Sequence, residues 1–208
     1  MPNFIYSQRG TAMRICSFTN EQGVICNGQE VDGGEIELLE GGIAEGFTPS
    51  GRIIHAEKLL APLQPVNIFC IGLNYREHAA ETGAPVPEHP VIFMKPTSAL
   101  NHPGGDIPLP ASCRHGPEVD FEAELAVVIG KTARNVDERQ ALDYVFGYTC
   151  ANDVSARRWQ KHGGGGQWVK GKGFDGFCPL GPLLVTADEI PDPQQLRVRS
   201  ILNGEVMQ

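Results

Sequence analysis

The sequence predicts an α+β protein in which short strands dominate and the helices are few and short. Glycine and proline account for 25 and 16 of the 208 residues, and both residue types weaken long helices. The apolar segments are short and often end at glycine, which is typical of strands that irregular loops connect. A chain of this length can form one large domain or two small ones.

Composition and charge exclude several classes of protein. A formal net charge of −8 and an isoelectric point near 5.2 argue against nucleic acid or an anionic membrane as a partner. No apolar segment approaches the roughly 20 residues of a membrane-spanning helix, and the N-terminus lacks the basic and apolar regions of a signal peptide. The six cysteines are scattered without a Cys-x-x-Cys pair, so we expect free thiols in a reducing, cytoplasmic compartment.

Residues 1–65 are interpreted as a small N-terminal module with a structural role. Ala12–Phe18 and Gly23–Cys26 are expected to pair as a hairpin. Glu35–Leu39 is expected to form a further strand or a short helix. Few side chains of this module suit catalysis.

A strand and a short helix begin the larger part of the chain, residues 66–208. Val66–Ile71 is a short apolar run that predicts a strand. The helix is expected to follow it, with Asn74 as the N-cap and Gly83 as the C-terminal stop.

On that helix, His78 and Glu81 are three residues apart, so their side chains are expected on one face. A carboxylate beside an imidazole orients the ring and raises its basicity, as in a general base. A surface ion pair explains the same spacing, and the residues alone leave both interpretations open.

The central feature of the sequence is an acid-rich strand that leads into an apolar one. Because side chains of a strand alternate between its faces, several carboxylates are expected on one face. These are Glu118, Asp120, Glu122 and Glu124. The next segment, Leu125–Ile129, predicts a buried strand, so the carboxylates beside it need water or a cation to offset their repulsion. A hard divalent cation with oxygen ligands meets this need, and a solvated strand face is the alternative.

A helix and a strand are expected after the acid-rich strand. Asp137 is a suitable N-cap for a helix that ends near Val145, and Tyr148–Asn152 predicts a strand that leads to Asp153. An acid at the end of a strand can point into a cleft or can cap the next helix. Both roles stay open for Asp153.

Residues 171–176 match the dinucleotide fingerprint G-x-G-x-x-G, but the match is rejected. The fingerprint needs a helix directly after it, and Pro179 and Pro182 exclude a helix of the right kind there. Lys172 is then a lone cation among glycines, well placed to approach a ligand closely.

The C-terminal part predicts a strand at Leu183–Thr186 and a hairpin with a type I′ turn. The hairpin pairs Leu196–Leu202 with Glu205–Gln208 across Asn203-Gly204. Its second strand stops after four residues. We therefore expect that a C-terminal segment is absent from this chain.

From Val66 to Gln208 the sequence resembles the fumarylacetoacetate hydrolase superfamily. The resemblance rests on four segments in this order: IGLNYREHAAE at 71–81, VDFEAELAVVIGK at 119–131, ANDVSAR at 151–157 and GKGFDGFCPLGP at 171–182. It implies a mixed β-strand roll or barrel with short peripheral helices, a catalytic domain at 66–208 and a homodimer.

One position departs from the family pattern. The family commonly has Ala-Arg-Asp after the Asp-Val-Ser segment, whereas this chain has Ala-Arg-Arg, with Arg158 in place of the acid. This change is expected to alter a local ion pair or the choice of substrate.

The resemblance also implies a metal site. Glu122, Glu124 and Asp153 match the family's carboxylate ligands for Mg²⁺, or for Mn²⁺ or Ca²⁺. Carboxylates with water suit a six-coordinate hard cation and leave positions open for the two oxygens of a 2-oxo acid or a 1,3-diketone. The ion would act as a Lewis acid and stabilise an enolate.

Further residues match catalytic and substrate-binding positions of the family. His78 and Glu81 match the His–Glu pair on a lid helix that activates water. Lys172 matches the lysine that stabilises developing oxyanion charge, and Gln160 matches a glutamine that contacts the substrate.

The leading functional hypothesis is metal-dependent hydrolysis of a C–C bond in an acylpyruvate- or fumarylacetoacetate-like 3-ketoacid, as in the catabolism of aromatic compounds. Enolate chemistry without attack by water gives a second hypothesis. This is decarboxylation of an oxaloacetate-like acid, or hydration or isomerisation of an unsaturated 2-oxo dioic acid. A third is a truncated, inactive protein that binds a metal or a partner through an exposed edge strand.

Overall fold

The computed structural model describes residues 12–83, 85–116, 118–163 and 165–208, apart from the side chains at 32, 81 and 82. Short strands dominate the described residues, with the following bounds: β1 Arg14–Thr19, β2 Ile25–Glu30, β3 Ile36–Gly42, β4 Gly46–Ile54, β5 Lys58–Leu60, β6 Ile68–Gly72, β7 Val91–Lys95, β8 Leu100–Asn101, β9 Val119–Asp120, β10 Ala123–Ile129, β11 Val145–Asn152, β12 Ser155–Ala156, β13 Cys178–Pro179, β14 Leu183–Thr186, β15 Ile201–Leu202 and β16 Glu205–Val206. The α-helices are α1 Arg76–Thr82, α2 Arg157–His162 and α3 Val169–Lys172.

The chain forms two compact units, and each takes residues from separate parts of the sequence. Of the described residues, the first contains those at 12–63, 124–151 and 180–208, and the second contains those at 64–123 and 152–179. The predicted division into a module at 1–65 and a catalytic domain at 66–208 stays a prediction.

The first unit is built on one eight-stranded sheet. Its strand order is β10-β11-β14-β1-β2-β3-β4, and β5 pairs with β1 beside β14. The predicted hairpin is confirmed as the antiparallel pair β1–β2, and all of the segment at 35–39 except Glu35 lies in strand β3. Ile15 of β1 pairs with Leu184 of β14, and both pack with Leu39 and Val128 in the core.

The hydrogen bonds of this sheet follow an open path from β10 to β4 and, among the described strands, do not close into a ring. The predicted burial of Leu125–Ile129 is wrong for two of its five side chains. Val128 is 7% exposed, but Val127 and Ile129 are 49% and 58% exposed. Val127 and Ile129 alternate with Val128 along the strand, so their side chains lie on the opposite face of the sheet from the core that contains Val128.

Strand pairs and short helices form the second unit. β6 pairs with β7 and β9 with β12 in antiparallel fashion, whereas β8 and β13 are parallel. The N-cap of α1 is Tyr75 rather than the predicted Asn74, and no side chain caps that end. Gly83 ends the helix as predicted, in the left-handed conformation with φ of 66°. A core of Cys113, Val154, Ala156 and Phe177 packs this unit.

The prediction of an α+β fold with dominant strands is confirmed. The C-terminal hairpin is confirmed too, with β15 and β16 joined by Asn203 and Gly204 at φ of 52° and 88°, as a type I′ turn requires. Its strands are two residues long each, shorter than predicted. None of the described helices is long and apolar enough to span a membrane.

A substitution at Gly147 tests the contact between β11 and β14. A Cβ atom at this position would lie 2.2 Å from the backbone oxygen of Val185, so the two strands must separate to admit it. We expect Gly147→Ala to lower the free energy of unfolding by about 2 kcal/mol, measured by urea denaturation.

Gly42→Ala is the matched control, because its Cβ would meet only the carboxylate end of Glu45, at 3.1 Å. That side chain can move, so we expect a loss of about 0.5 kcal/mol or less. Equal losses for the two variants would contradict the proposed steric cause.

Candidate functional site

Carboxylates that are distant in sequence come together beside the acid-rich strand. Ligand atoms of Glu122, Glu124 and Asp153 lie within 4.8 Å of one another. The pairing of β9 with β12 sets Asp120 opposite Ser155. Next to this pair, the Asp153 N–H donates to the backbone oxygen of Glu122 at 2.9 Å. The backbone thus holds the two acids side by side.

Lys172 is the cation at the centre of this group. It ends helix α3, is 2% exposed, and its Nζ donates to Glu122 Oε2 at 2.9 Å and to Asp153 Oδ2 at 2.7 Å. A third bond, of 2.7 Å, goes to Ser155 Oγ. The Phe93 ring lies 5.2 Å from the same nitrogen, which adds a cation–π contact.

Arg157, at the start of α2, joins the acid-rich strand to the same group. It donates to Asp120 Oδ2 at 2.9 and 2.7 Å, to Glu122 Oε1 at 2.5 Å and to Gln160 Oε1 at 3.0 Å. Burial lowers the pKa of Arg157, but the hydrogen bond to Asp120 and the charge of Glu122 outweigh burial and raise its pKa above the ordinary value. Arg157 is therefore a permanent cation here.

Arg158 pairs with the first acid of the strand. Its Nε donates to Glu118 Oε2 at 2.7 Å, and its Nη2 donates to the backbone oxygen of Ser112 at 2.6 Å. Side-chain cations of α2 and α3 therefore offset much of the repulsion that the sequence predicts along this strand. Arg158, which stands where the sequence analysis expected Asp, thus forms an ion pair with Glu118.

One carboxylate oxygen in this group has no hydrogen-bond donor. Asp153 is 4% exposed, and its Oδ1 is buried without a hydrogen bond. Lys95 Nζ lies 2.7 Å from that oxygen but directs its protons at the backbone oxygens of Val154, Phe177 and Lys172. The contact is therefore an ion pair without a hydrogen bond.

These residues fit a hard divalent cation. Such a cation prefers several carboxylate oxygens, and the carboxylates of Glu122, Glu124 and Asp153 supply them at short mutual distances. The identity of the metal and the roles of the predicted ligands stay predictions.

The other predicted site residues are placed as follows. His78 is in α1 with an exposed side chain, and Glu81 is near the end of α1, but its side chain lies outside the described part. Gln160 is in α2, and Arg157 donates hydrogen bonds both to its Oε1 and to Oε1 of Glu122. The roles predicted for these residues stay predictions.

Sequence reasoning missed Lys95, Arg157 and Ser155 as parts of the site. For Lys95 a signal existed, because it follows Phe93 by two positions in a strand and so shares its buried face. Ser155 and Arg157 lie in the segment ANDVSAR at 151–157, which carries the family resemblance, so this motif was their signal.

Comparison with known proteins identifies a family and several relatives to which this chain is similar. Residues 67–208 match the family described as fumarylacetoacetate (FAA) hydrolase C-terminal. "Oxaloacetate tautomerase fahd2, mitochondrial" of Xenopus laevis is 51% identical over 151 residues, which cover 72% of this chain and 46% of that protein. A Dictyostelium discoideum protein, "fumarylacetoacetate hydrolase domain-containing protein 2 homolog", is 46% identical over 73% of this chain and 51% of its own length. The chain thus spans about half the length of these curated relatives.

A solved structure agrees with the described fold. The crystal structure of 2-hydroxyhepta-2,4-diene-1,7-dioate isomerase from Mycobacterium marinum superposes with a TM-score of 0.78 at 35% identity. The match covers 94% of this chain and 73% of that one.

Removal of one carboxylate tests the metal site. Glu122→Gln keeps the size of the side chain but removes a charged ligand, so we expect the dissociation constant for Mn²⁺ to rise about tenfold or more. Titration calorimetry measures this constant. Glu138→Gln, in an exposed turn, is the control, and a similar change in both variants would show that only general charge matters.

Proposed function

We propose, from the premise that the chain belongs to the fumarylacetoacetate hydrolase family, that it forms the site of a metal-dependent tautomerase or isomerase of small 2-oxo dicarboxylic acids. The observation that carries the proposal is the buried Lys172 ammonium between Glu122 and Asp153. Relatives named oxaloacetate tautomerase and dienedioate isomerase support the reaction type.

The reaction needs proton transfer and stabilisation of charge on oxygen. When a 2-oxo acid converts to its enol, one proton leaves C3 and one proton arrives on the C2 oxygen. No C–C bond breaks and no water attacks. Negative charge builds up on the C2 oxygen between these events, and the site must stabilise it.

The carboxylates of Glu122, Glu124 and Asp153 would hold the metal. When bound, a divalent metal supplies Lewis-acid polarisation of the substrate's carbonyl and carboxylate oxygens. Arg157 holds the Glu122 carboxylate from its other side, at 2.5 Å, and thereby limits its rotation.

Lys172 supplies positive charge next to the carboxylates. Its ammonium is buried and donates to Glu122, Asp153 and Ser155, so its field is strong in this region of low dielectric. A substrate oxygen that takes over one of these hydrogen bonds would receive a proton donor as its charge develops.

Gln160 and His78 complete the proposal. The Oε1 of Gln160 accepts from Arg157, so its NH₂ group is the end that can donate to a substrate carboxylate. His78 would accept the proton from C3 as a general base. Glu81, one turn further along α1, would orient the imidazole.

Hydrolysis of a C–C bond stays a prediction for this chain. Hydrolysis also requires that His78 and Glu81 activate a water molecule for attack on a distal carbonyl carbon. The family name supports it, whereas the relatives named as tautomerase and isomerase support proton transfer alone. A homodimer and a cytoplasmic location also stay predictions, and the Xenopus relative is named as mitochondrial.

The test is turnover by the purified chain with Mg²⁺ or Mn²⁺. Enol-to-keto conversion of oxaloacetate, its decarboxylation and the cleavage of acetylpyruvate are followed separately by ultraviolet absorbance. We expect metal-dependent tautomerisation to dominate, and Lys172→Met to lower kcat about 100-fold. Lys131→Met, at an exposed lysine that bonds the backbone of Asp143, is the control and should leave kcat unchanged.

Each other result selects a different function. Dominant cleavage of acetylpyruvate would show that the chain is a C–C hydrolase instead. Dominant loss of CO₂ from oxaloacetate would show that it is a decarboxylase. No metal-dependent turnover by a folded sample would favour an inactive binding protein.

A further inference from the structure

Two buried lysines flank the same carboxylate. Lys95 Nζ lies 2.7 Å from Asp153 Oδ1, and Lys172 Nζ lies 2.7 Å from Asp153 Oδ2. Each lysine is 2% exposed. The pair is symmetric in charge, distance and burial, so differences between the two lysines must come from their other partners.

Those other partners differ in kind. Lys172 directs its ammonium at side-chain oxygens of Glu122, Asp153 and Ser155. Lys95 directs its ammonium at backbone oxygens, of Val154 at 3.0 Å, of Phe177 at 2.9 Å and of Lys172. Side-chain oxygens can turn away with their rotamers, whereas backbone oxygens are fixed by the fold.

Movement of Lys95 would therefore cost more than movement of Lys172. If its ammonium left, the backbone oxygens would lose a buried donor, and each loss of this kind is unfavourable. The Phe177 oxygen also accepts the Val154 N–H, at 3.2 Å. Lys95 thus reinforces a contact that fixes the backbone next to Asp153.

We propose that Lys95 is the positioning residue of this site and that Lys172 is its exchangeable cation. Lys95 ties the segment after Asp153 to helix α3 and to Phe177, and it holds Oδ1 of Asp153 by charge alone. Lys172 can then leave Oδ2 for a substrate oxygen without loosening the backbone. The inference deepens the proposed function and rests on it for its meaning in catalysis.

Amide hydrogen exchange of the metal-free protein tests this difference without any substrate. The variants are Lys95→Met and Lys172→Met, which remove the same charge at the same distance from Asp153. We expect Lys95→Met to speed exchange about tenfold or more at the amides of Asp153, Val154 and Phe177. Lys172→Met should stay within about threefold of the wild type at these amides.

Two controls separate a local from a general effect. Ile107→Val, which removes a methylene at the edge of the core around Phe177, reports loss of packing without loss of a donor. Amides of β1 and β2 in the first unit report global unfolding. We expect Ile107→Val to exchange as the wild type does at the amides of Asp153, Val154 and Phe177. The amides of β1 and β2 should exchange at the wild-type rate in Lys95→Met, and a uniform rise across the chain in that variant would contradict a positioning role.

Other outcomes also decide the question. Equal acceleration in both lysine variants, or none in Lys95→Met, overturns the proposal. If Lys95→Met does not fold while Lys172→Met folds, the anchoring role is supported, and Lys95→Gln is then used instead, because its side chain is shorter, carries no charge and has only two N–H donors. Unchanged exchange in folded Lys95→Gln would overturn the proposal.

A kinetic measurement links the anchor to the reaction. We expect the mildest folded variant of Lys95 to lower kcat about tenfold or more while KM stays within about threefold, since misplacement of a ligand affects the transition state more than binding. If the wild type shows no tautomerase activity, the proposed function fails, but the exchange experiment still decides the role of Lys95.

Discussion

The structure depends most on the pairing of a buried carboxylate with two buried ammonium groups. Asp153 would be costly to bury alone, and removal of one partner from such a group leaves an uncompensated charge. Lys95 and Lys172 compensate it from opposite oxygens. Because Lys95 comes from β7 and also donates to the backbone oxygens of Val154, Phe177 and Lys172, its pairing with Asp153 also fixes how β7 packs around the core of the second unit.

The acid-rich strand shows how a protein offsets its own charge. Arg158 pairs with Glu118, Arg157 with Asp120 and Glu122, and Lys172 with Glu122. All the basic partners come from residues 157–172, so two short helices compensate one strand. The carboxylates of this strand are therefore held in an ion-pair network that is already ordered. This is the condition under which fixed charges assist a reaction most.

The candidate site was predicted in part from the sequence. Motifs that resemble the family predicted Glu122, Glu124, Asp153 and Lys172, and the structure brings these residues together. The anchoring partners were missed, because a lysine or an arginine in the sequence carries no mark of what it contacts. Lys95 lies 58 positions before Asp153, and only the packing of β7 against Val154 and Phe177 makes the two neighbours.

The sequence alone determined the local elements and the chemistry that is available. Short apolar runs with glycine ends determined the strands, and Asn203-Gly204 determined the last hairpin. Tertiary structure decided the rest. It set which face of β10 is exposed, broke the acid-rich strand at Phe121 and Glu122, and split each compact unit across distant segments. The physical reason is that burial and charge compensation depend on contacts between residues far apart in the chain, which local propensity does not encode.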